Sequence, residues 1–187
     1  YKDLTARCDD ALWLGSRTIL CAKNDDVDNP NDLITDRFKP EAHMYELLSA
    51  DEVGPDDNDS IYPIEFLNSL TVSGLPPHKL RLKLGMIVIV MCLRNMDQPK
   101  GDCNGSRYVV RRISSRLLDL VHLSPDGPTG RHIFVPRVTL TIDDNFPFVL
   151  RRRQFPVRPA FAMTINKAQG QTLKRVGLYL PKPVFPH

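Results

Sequence analysis

The chain has 187 residues, of which 42% are hydrophobic, so it can bury the core of one large domain or of two small ones. No stretch approaches the roughly eighteen unbroken apolar residues of a membrane-spanning helix, and we expect no membrane partner. Charge is unevenly placed: residues 1–78 carry 6 Lys or Arg against 16 Asp or Glu, whereas residues 79–187 carry 19 against 6. The basic C-terminal part suits a phosphate-rich partner, although a solvated basic face would explain the same charge.

The cysteine pattern argues against a metal site. Cys8, Cys21, Cys92 and Cys103 are scattered and never form Cys-x-x-Cys, and no histidine pair stands near them at metal-ligand spacing. We therefore predict no bound metal and reduced thiols in an intracellular protein.

The N-terminal part has the pattern of an α/β unit. Residues 17–22 form a short apolar run typical of a buried strand. A helix is predicted to begin near Pro30 and to run through Phe38, because proline is tolerated only at the start of a helix. A strand followed by a helix is the repeating unit of an α/β sheet.

An acidic segment separates this unit from the rest of the chain. Residues 51–60 contain five acidic side chains and little apolar content, which predicts a solvated loop. Their spacing does not match a hand-type calcium loop. Residues 63–70 then read as a short amphipathic helix.

The middle of the chain has the texture of antiparallel β-structure. Apolar runs and alternating patterns are separated by turn-forming Gly, Pro, Asn and Ser residues. The predicted strands are residues 80–84, 86–93, 107–113, 117–123 and 132–141. Several short strands so closely spaced predict a small barrel of the SH3-like or OB-like kind.

The α/β pattern then returns. Residues 160–165 and 176–180 are apolar runs typical of buried strands, and residues 166–170 form a compact turn between them. We therefore interpret the β module as an insertion within an α/β fold.

Signatures of a self-sufficient enzyme are missing from the sequence. It contains no Gly-x-x-x-x-Gly-Lys-Ser/Thr loop to hold nucleotide phosphates, no Gly-x-Ser-x-Gly and no His-Glu-x-x-His. Nucleophilic chemistry by a cysteine or serine with one of the five scattered histidines stays open as a weaker alternative.

The most informative segment covers residues 164–172. Gly170 allows the backbone to approach a phosphate closely, and Lys167 supplies positive charge. Uncharged hydrogen-bonding groups come from four further residues, Thr164, Asn166, Gln169 and Thr172. A polar surface turn between two core strands explains the same pattern without any ligand.

Residues 159–173, read as Pro-Ala-Phe-Ala-Met-Thr-Ile-Asn-Lys-Ala-Gln-Gly-Gln-Thr-Leu, resemble motif V of superfamily-one helicases of the Pif/RecD kind. The likeness is greatest to the Pif-like helicases of Helitron transposons. It extends in order along the chain from Arg17, through residues 45–53, 65–70, 74–80, 93–95, 103–105, 135–137, 151–157 and 176–181.

The resemblance implies a domain organisation. Residues 1–39 and 155–187 would belong to a second RecA-like domain, of the P-loop NTPase type but without the P-loop. Residues 40–85 would connect it, through the acidic loop, to a small SH3-like β-barrel inserted at residues 86–154.

The resemblance also implies the roles of individual residues. In motif V, Thr164, Asn166 and Lys167 would face single-stranded DNA together with Thr172, while Gln169 and Gly170 would approach the γ-phosphate of ATP. A further DNA contact would come from Asn24 in motif IV and another from Asn104 at the entry to the barrel, where a tight hairpin is the alternative explanation. Separately from the resemblance, we expect Arg151, Arg152, Arg153 and Arg158 to reinforce the grip on DNA electrostatically, with a solvated basic face as the alternative for each of them. Pro30 departs from the family, which has an apolar residue there.

The parent protein would be an ATP-dependent helicase that unwinds DNA from 5′ to 3′ with ATP and Mg²⁺. Its partners would be single-stranded DNA, duplex junctions and the N-terminal RecA-like domain that this sequence lacks. We expect it in the nucleus, with the mitochondrion as the alternative, in repair, recombination or telomere maintenance.

Activity of the chain alone is a separate question. The sequence stops at His187, before the motif that brings an arginine to the γ-phosphate, so we predict negligible ATP turnover by this chain. The competing hypothesis is a non-enzymatic module that binds nucleic acid or a partner, derived from a degenerate or truncated helicase.

Overall fold

The computed structural model describes residues 1–54, 61–72, 74–91, 106–143 and 146–181. Its helices are α1 (Ala11–Gly15), α2 (Asp28–Arg37), α3 (Ile64–Ser69) and α4 (Ile165–Ala168), and a 3-10 turn covers Asn24–Asp26. Its strands are β1 (Arg17–Cys21), β2 (Tyr45–Leu48), β3 (Ala50–Val53), β4 (Lys79–Leu82), β5 (Ile87–Val90), β6 (Arg107–Ile113), β7 (Leu117–Ser124), β8 (Gly127–Pro136), β9 (Val138–Ile142), β10 (Leu150–Gln154), β11 (Val157–Pro159), β12 (Ala162–Thr164) and β13 (Arg175–Tyr179).

A three-stranded parallel sheet joins the two ends of the chain. Strand β1 lies between β12 and β13 and is parallel to both. The shared direction places Cys21, Thr164 and Tyr179 at the same edge of the sheet, in register with one another. The mixed α/β character predicted for the chain is confirmed.

Helix α2 begins at Asp28, slightly before the predicted start. Pro30 therefore lies in the first turn, where its missing N–H would have had no partner within the helix. The helix buries Pro30, Asn31, Ile34 and Thr35, and this face packs against β12.

A five-stranded antiparallel sheet has the order β11–β5–β6–β7–β8. The predicted strands at residues 107–113 and 117–123 are present as β6 and β7. Within the described residues, however, the outer strands β11 and β8 do not pair with each other, so the predicted closed barrel is wrong for this part of the chain.

The physical reason lies in the following strands. Strands β9 and β10, which were assigned to the barrel, instead pair with β3 to form a separate antiparallel sheet. Strand β3 also corrects the start of the predicted acidic loop, because Asp51 to Val53 are strand residues. Residues 55–60 of that loop lie outside the described residues.

The ladders run across the predicted domain boundaries. Strand β11 pairs with β5, and β10 pairs with β3. The boundaries themselves stay a prediction.

Two apolar clusters support these sheets. The larger one joins α1, α2 and the five-stranded sheet around buried side chains such as Leu14, Phe38 and Phe161. The smaller one packs Leu67 of α3 against Phe148 and Leu150. No helix among the described residues is long and apolar enough to cross a membrane.

Candidate nucleic-acid interface

The turn at residues 164–172 follows the carboxyl end of β12, and we call it the phosphate turn. Thr164 ends the strand, and α4 makes a single helical turn after it. The chain then turns at Gly170, whose φ of +81° is strained for any residue that has a side chain. The space beside its Cα is open, since no heavy atom lies within 4 Å of the position that a Cβ would take. The carboxyl edge of parallel strands is where α/β folds bind ligands.

A buried side chain that sequence reasoning missed holds this strand in place. The Oδ1 atom of Asn31 accepts hydrogen bonds from the backbone N–H groups of Phe161 (3.1 Å) and Ala162 (2.9 Å). Its Nδ2 atom donates to the carbonyl oxygens of Val27 and Ala162, both at 3.1 Å. Asn31 thus pairs with the open edge of β12 as a neighbouring strand would. Its position on a polar-looking helix gave no signal of this role.

A second buried polar side chain, that of Arg107, holds the segment that leads into β12. Arg107 is 7% exposed and donates to the carbonyl oxygens of Gly15 (2.6 Å), Arg17 (3.2 Å) and Ala160 (2.8 Å). Burial lowers the pKa of its guanidinium, with Tyr1 opposing that change. Arg107 therefore connects the five-stranded sheet to the strand that carries the phosphate turn.

Positive charge is concentrated beside the phosphate turn. Partial desolvation by the surrounding residues lowers the pKa of Lys167, and the positive charge of Arg158 lowers it further, while Asp28 opposes both. Arg158 donates from Nη2 to the carbonyl oxygen of Leu75 at 2.6 Å, and its Nη1 lies 3.6 Å from Oδ1 of Asp28. Lys167 and Arg158 repel each other electrostatically, and an anion bound between them would relieve that repulsion.

A cleft of about 290 Å³ runs between the phosphate turn and the end of β5. One wall is apolar and is formed by Ile89, Val90 and Met91. The other wall carries polar side chains of the turn, namely Asn166, Lys167 and Gln169, and Gly74 lies beside them. An apolar wall facing a basic one suits a base attached to a phosphate.

A second cleft, of about 430 Å³, lies on the other side of the same turn. It is formed by Ile165, Asn166 and Gln169 of the turn against Leu20 and Val176 of the parallel sheet. Asn166 and Gln169 therefore border both clefts, so the turn could contact two different ligands at once.

Most of the predicted residues of the turn are accessible. Asn166, Lys167, Gln169, Gly170 and Thr172 are exposed. Asn24 is exposed as well, and it follows β1 at the same edge of the sheet. Thr164, by contrast, is 7% exposed and lies beneath the turn, because it is still part of the central sheet. Asn104 lies outside the described residues.

Arg152 is not available for DNA, and its predicted role was wrong. It is 1% exposed, and its Nη2 and Nε atoms lie 2.6 Å from Oδ2 and 2.9 Å from Oδ1 of Asp51. It also donates to the carbonyl oxygens of Leu67, Leu70 and Pro76. The side chain joins α3 and β3 to β10.

The neighbouring arginines differ from one another. Arg153 is exposed. Arg151 is partly exposed and forms an ion pair with Glu52 across the strand, at 3.0 Å. Arg158 lies beside the phosphate turn and is mostly buried, since its side chain is 13% exposed. Only Arg158 of these three is therefore placed next to Lys167.

Within the described part of the chain, no three His, Cys, Asp or Glu side chains converge on a point that could hold a metal ion.

Comparison with known proteins gives consistent matches. Residues 65–113 match the family model described as DNA helicase Pif1, 2B domain. The ATP-dependent DNA helicase PIF1 of Xenopus laevis is 28% identical over 172 residues, which are 88% of this chain and 24% of that protein. The human protein of the same name is 28% identical over 163 residues, 87% of this chain and 23% of that protein. The chain thus spans about a quarter of the length of these relatives.

Solved structures show the same likeness in fold. The Pif1 helicase of Candida albicans is similar with a TM-score of 0.62 and 23% identity, over 92% of this chain and 43% of that one. A Bacteroides Pif1 helicase in complex with ADP-AlF3 and ssDNA has a TM-score of 0.61 and 20% identity, over 95% of this chain and 38% of that one.

Proposed function

Because the chain belongs to the family of Pif1-like DNA helicases, we propose that it is the part of an ATP-dependent, 5′-to-3′ DNA helicase that grips single-stranded DNA at the phosphate turn. The observation that carries the proposal is the position of this turn at the carboxyl edge of a parallel sheet, with Lys167 and Arg158 beside it and clefts on both sides. The parallel sheet would be part of a second RecA-like domain, and the antiparallel strands would form the module inserted into it.

Each side of the turn would serve a different ligand. We assign the cleft between the turn and β5 to the DNA strand, with Lys167 near a backbone phosphate and a base against Met91. Asn166 lies in both clefts and would contact the strand from the turn. Support comes from the chemistry of the walls, since phosphate contacts position a strand and an apolar wall can pack against the face of a base.

Gln169 and Gly170 would approach the γ-phosphate of ATP from the opposite side. Gly170 leaves room for close backbone approach, which a phosphate requires. The sequence has no phosphate-binding loop of its own, so ATP and Mg²⁺ would be held mainly by another part of the parent protein. Coupled movement of the two RecA-like domains would then drive the DNA strand through the cleft beside β5.

The proposal predicts how salt affects DNA binding. The chain should bind fluorescently labelled oligo-dT with an affinity that falls steeply between roughly 50 and 200 mM salt, because bound phosphates release counterions. Lys167→Ala should weaken binding and reduce the slope of log affinity against log salt by about one, as expected for one lost phosphate contact. Fluorescence anisotropy at several salt concentrations measures both quantities.

Lys79→Ala is the matched control, because Lys79 is exposed on β4 and forms its ion pair with Glu46 at 2.9 Å. This variant should bind like the unaltered chain. If the two lysine variants are indistinguishable, the phosphate turn is not the DNA site. If the unaltered chain binds no DNA at any salt concentration, the chain does not grip the strand by itself.

A further inference from the structure

The five-stranded sheet has an exposed face on its strands β6 to β8. Cα pairing places Arg112 of β6 opposite Asp119 of β7, and Asp119 opposite Phe134 of β8. Residues opposite one another in a ladder point to the same side of the sheet, so these three share one face. Phe134 is 58% exposed there, which is unusual for a large aromatic side chain.

The next row adds apolar surface to this face. Leu117 pairs with Pro136, and both are exposed, Leu117 to 40%. Leu117 is the diagonal neighbour of Phe134, close enough for an aromatic ring to touch. We call the surface formed by Arg112, Leu117, Asp119, His132, Phe134 and Pro136 the outer face.

The charges around this apolar surface are mainly positive. Arg112 and Arg116, which lies in the turn between β6 and β7, are both exposed, and neither forms an ion pair with any residue that the structure describes. The carboxylate of Asp119 is already engaged, since its Oδ1 lies 2.6 Å from Nδ1 of His132. The outer face therefore presents an exposed aromatic ring with Arg112 in the same row of the sheet, and Arg116 lies in the adjoining turn; both arginines are without an ion pair among the described residues.

We propose that the outer face is a second contact for single-stranded DNA, in which one base stacks on Phe134 and adjacent phosphates pair with Arg112 and Arg116. Sheet faces that display aromatic rings bind bases in this way, and arginine adds both charge and a planar surface. Single-stranded DNA can stack a base on the ring of Phe134 and pair its phosphates with the arginines at the same time, whereas an apolar protein surface would leave the arginines without partners.

The inference rests on the proposed function, but it concerns a different surface. The phosphate turn borders β5 and also the ends of β6 and β7 near Arg107 and Leu123, whereas the outer face lies around Arg112, Asp119 and Phe134, further along these strands. A DNA strand bound at both surfaces would cross this sheet. Because the two surfaces are formed by different residues, a substitution in one of them should leave DNA binding at the other intact.

The test measures binding of labelled oligo-dT to the 187-residue chain and its variants by fluorescence anisotropy. Phe134→Ala should weaken binding by roughly tenfold, as expected for one lost base stack, and Phe134→Trp should retain it. The salt slope should stay unchanged in Phe134→Ala and should fall by about one in Arg112→Ala. Leu33→Ala is the control, since Leu33 is 53% exposed on α2 and lies outside both surfaces.

A strand with abasic sites in place of thymidines separates stacking from charge. The unaltered chain should bind the abasic strand less tightly than oligo-dT, and Phe134→Ala should discriminate less between them. Unchanged binding by Phe134→Ala, or discrimination as strong as that of the unaltered chain, overturns the inference. If Lys167→Ala still weakens binding in that case, DNA binding at the phosphate turn is supported and only the outer-face contact is rejected. If the unaltered chain binds no single-stranded DNA, both the proposed function and the outer-face contact are rejected.

Discussion

Replacing Arg152 with alanine is expected to lower the free energy of unfolding by about 3 to 5 kcal/mol, because it leaves a buried carboxylate without its partner. The side chain of Asp51 is fully buried, and Arg152 supplies its main counter-charge at 2.6 Å. The same guanidinium also satisfies carbonyl oxygens of Leu67, Leu70 and Pro76. The substitution therefore removes an ion pair and the hydrogen bonds that hold α3 against β10.

Urea denaturation followed by circular dichroism measures this loss. Arg153→Ala is the matched control, since Arg153 is the next residue of the same strand and is exposed, and it should change stability by less than about 0.5 kcal/mol. Equal stability of the two variants would show that the Arg152–Asp51 pair does not hold these sheets together.

The second large effect is expected at Asn31. Asn31→Ala should destabilise the fold by roughly 3 kcal/mol, because it leaves the buried backbone N–H groups of Phe161 and Ala162 without acceptors. These groups lie on the outer edge of β12, directly before the phosphate turn. We therefore also expect faster amide exchange across β12 in this variant, measured by hydrogen–deuterium exchange.

Asn29→Ala serves as the control, because Asn29 is exposed in the first turn of the same helix. It should leave both stability and exchange nearly unchanged. Normal protection of Ala162 in Asn31→Ala would mean that another group satisfies the edge of β12, and that Asn31 does not position the turn.

The local elements could be predicted from the sequence because their signals are local. The apolar run of β1 and the apolar run before Thr164 each identify a buried strand. The glycine at residue 170 marks the turn, and the structure places it in the left-handed conformation that favours glycine. The positive charge and the hydrogen-bonding side chains of the turn could also be predicted, because they follow directly from the residue types at positions 164–172.

The long-range pairings could not be predicted in this way. Arg151, Arg152 and Arg153 look alike in sequence, yet only Arg152 points inward, toward a carboxylate 101 residues away. Within the described residues the antiparallel strands do not close into the predicted barrel, and the sequence could not show this, because local patterns identify strands but do not say that β10 pairs with β3. Asn31 gave no signal because its partners lie 130 and 131 residues away along the chain.

Photo-crosslinking of the chain to single-stranded DNA that contains 4-thiothymine tests the central claim most directly. The DNA contacts nearest to Lys167 should give crosslinked peptides from residues 164–172 and from the end of β5, identified by mass spectrometry, and excess unlabelled strand should suppress them. Crosslinks that never include the phosphate turn, in a chain that binds the strand, would contradict the account.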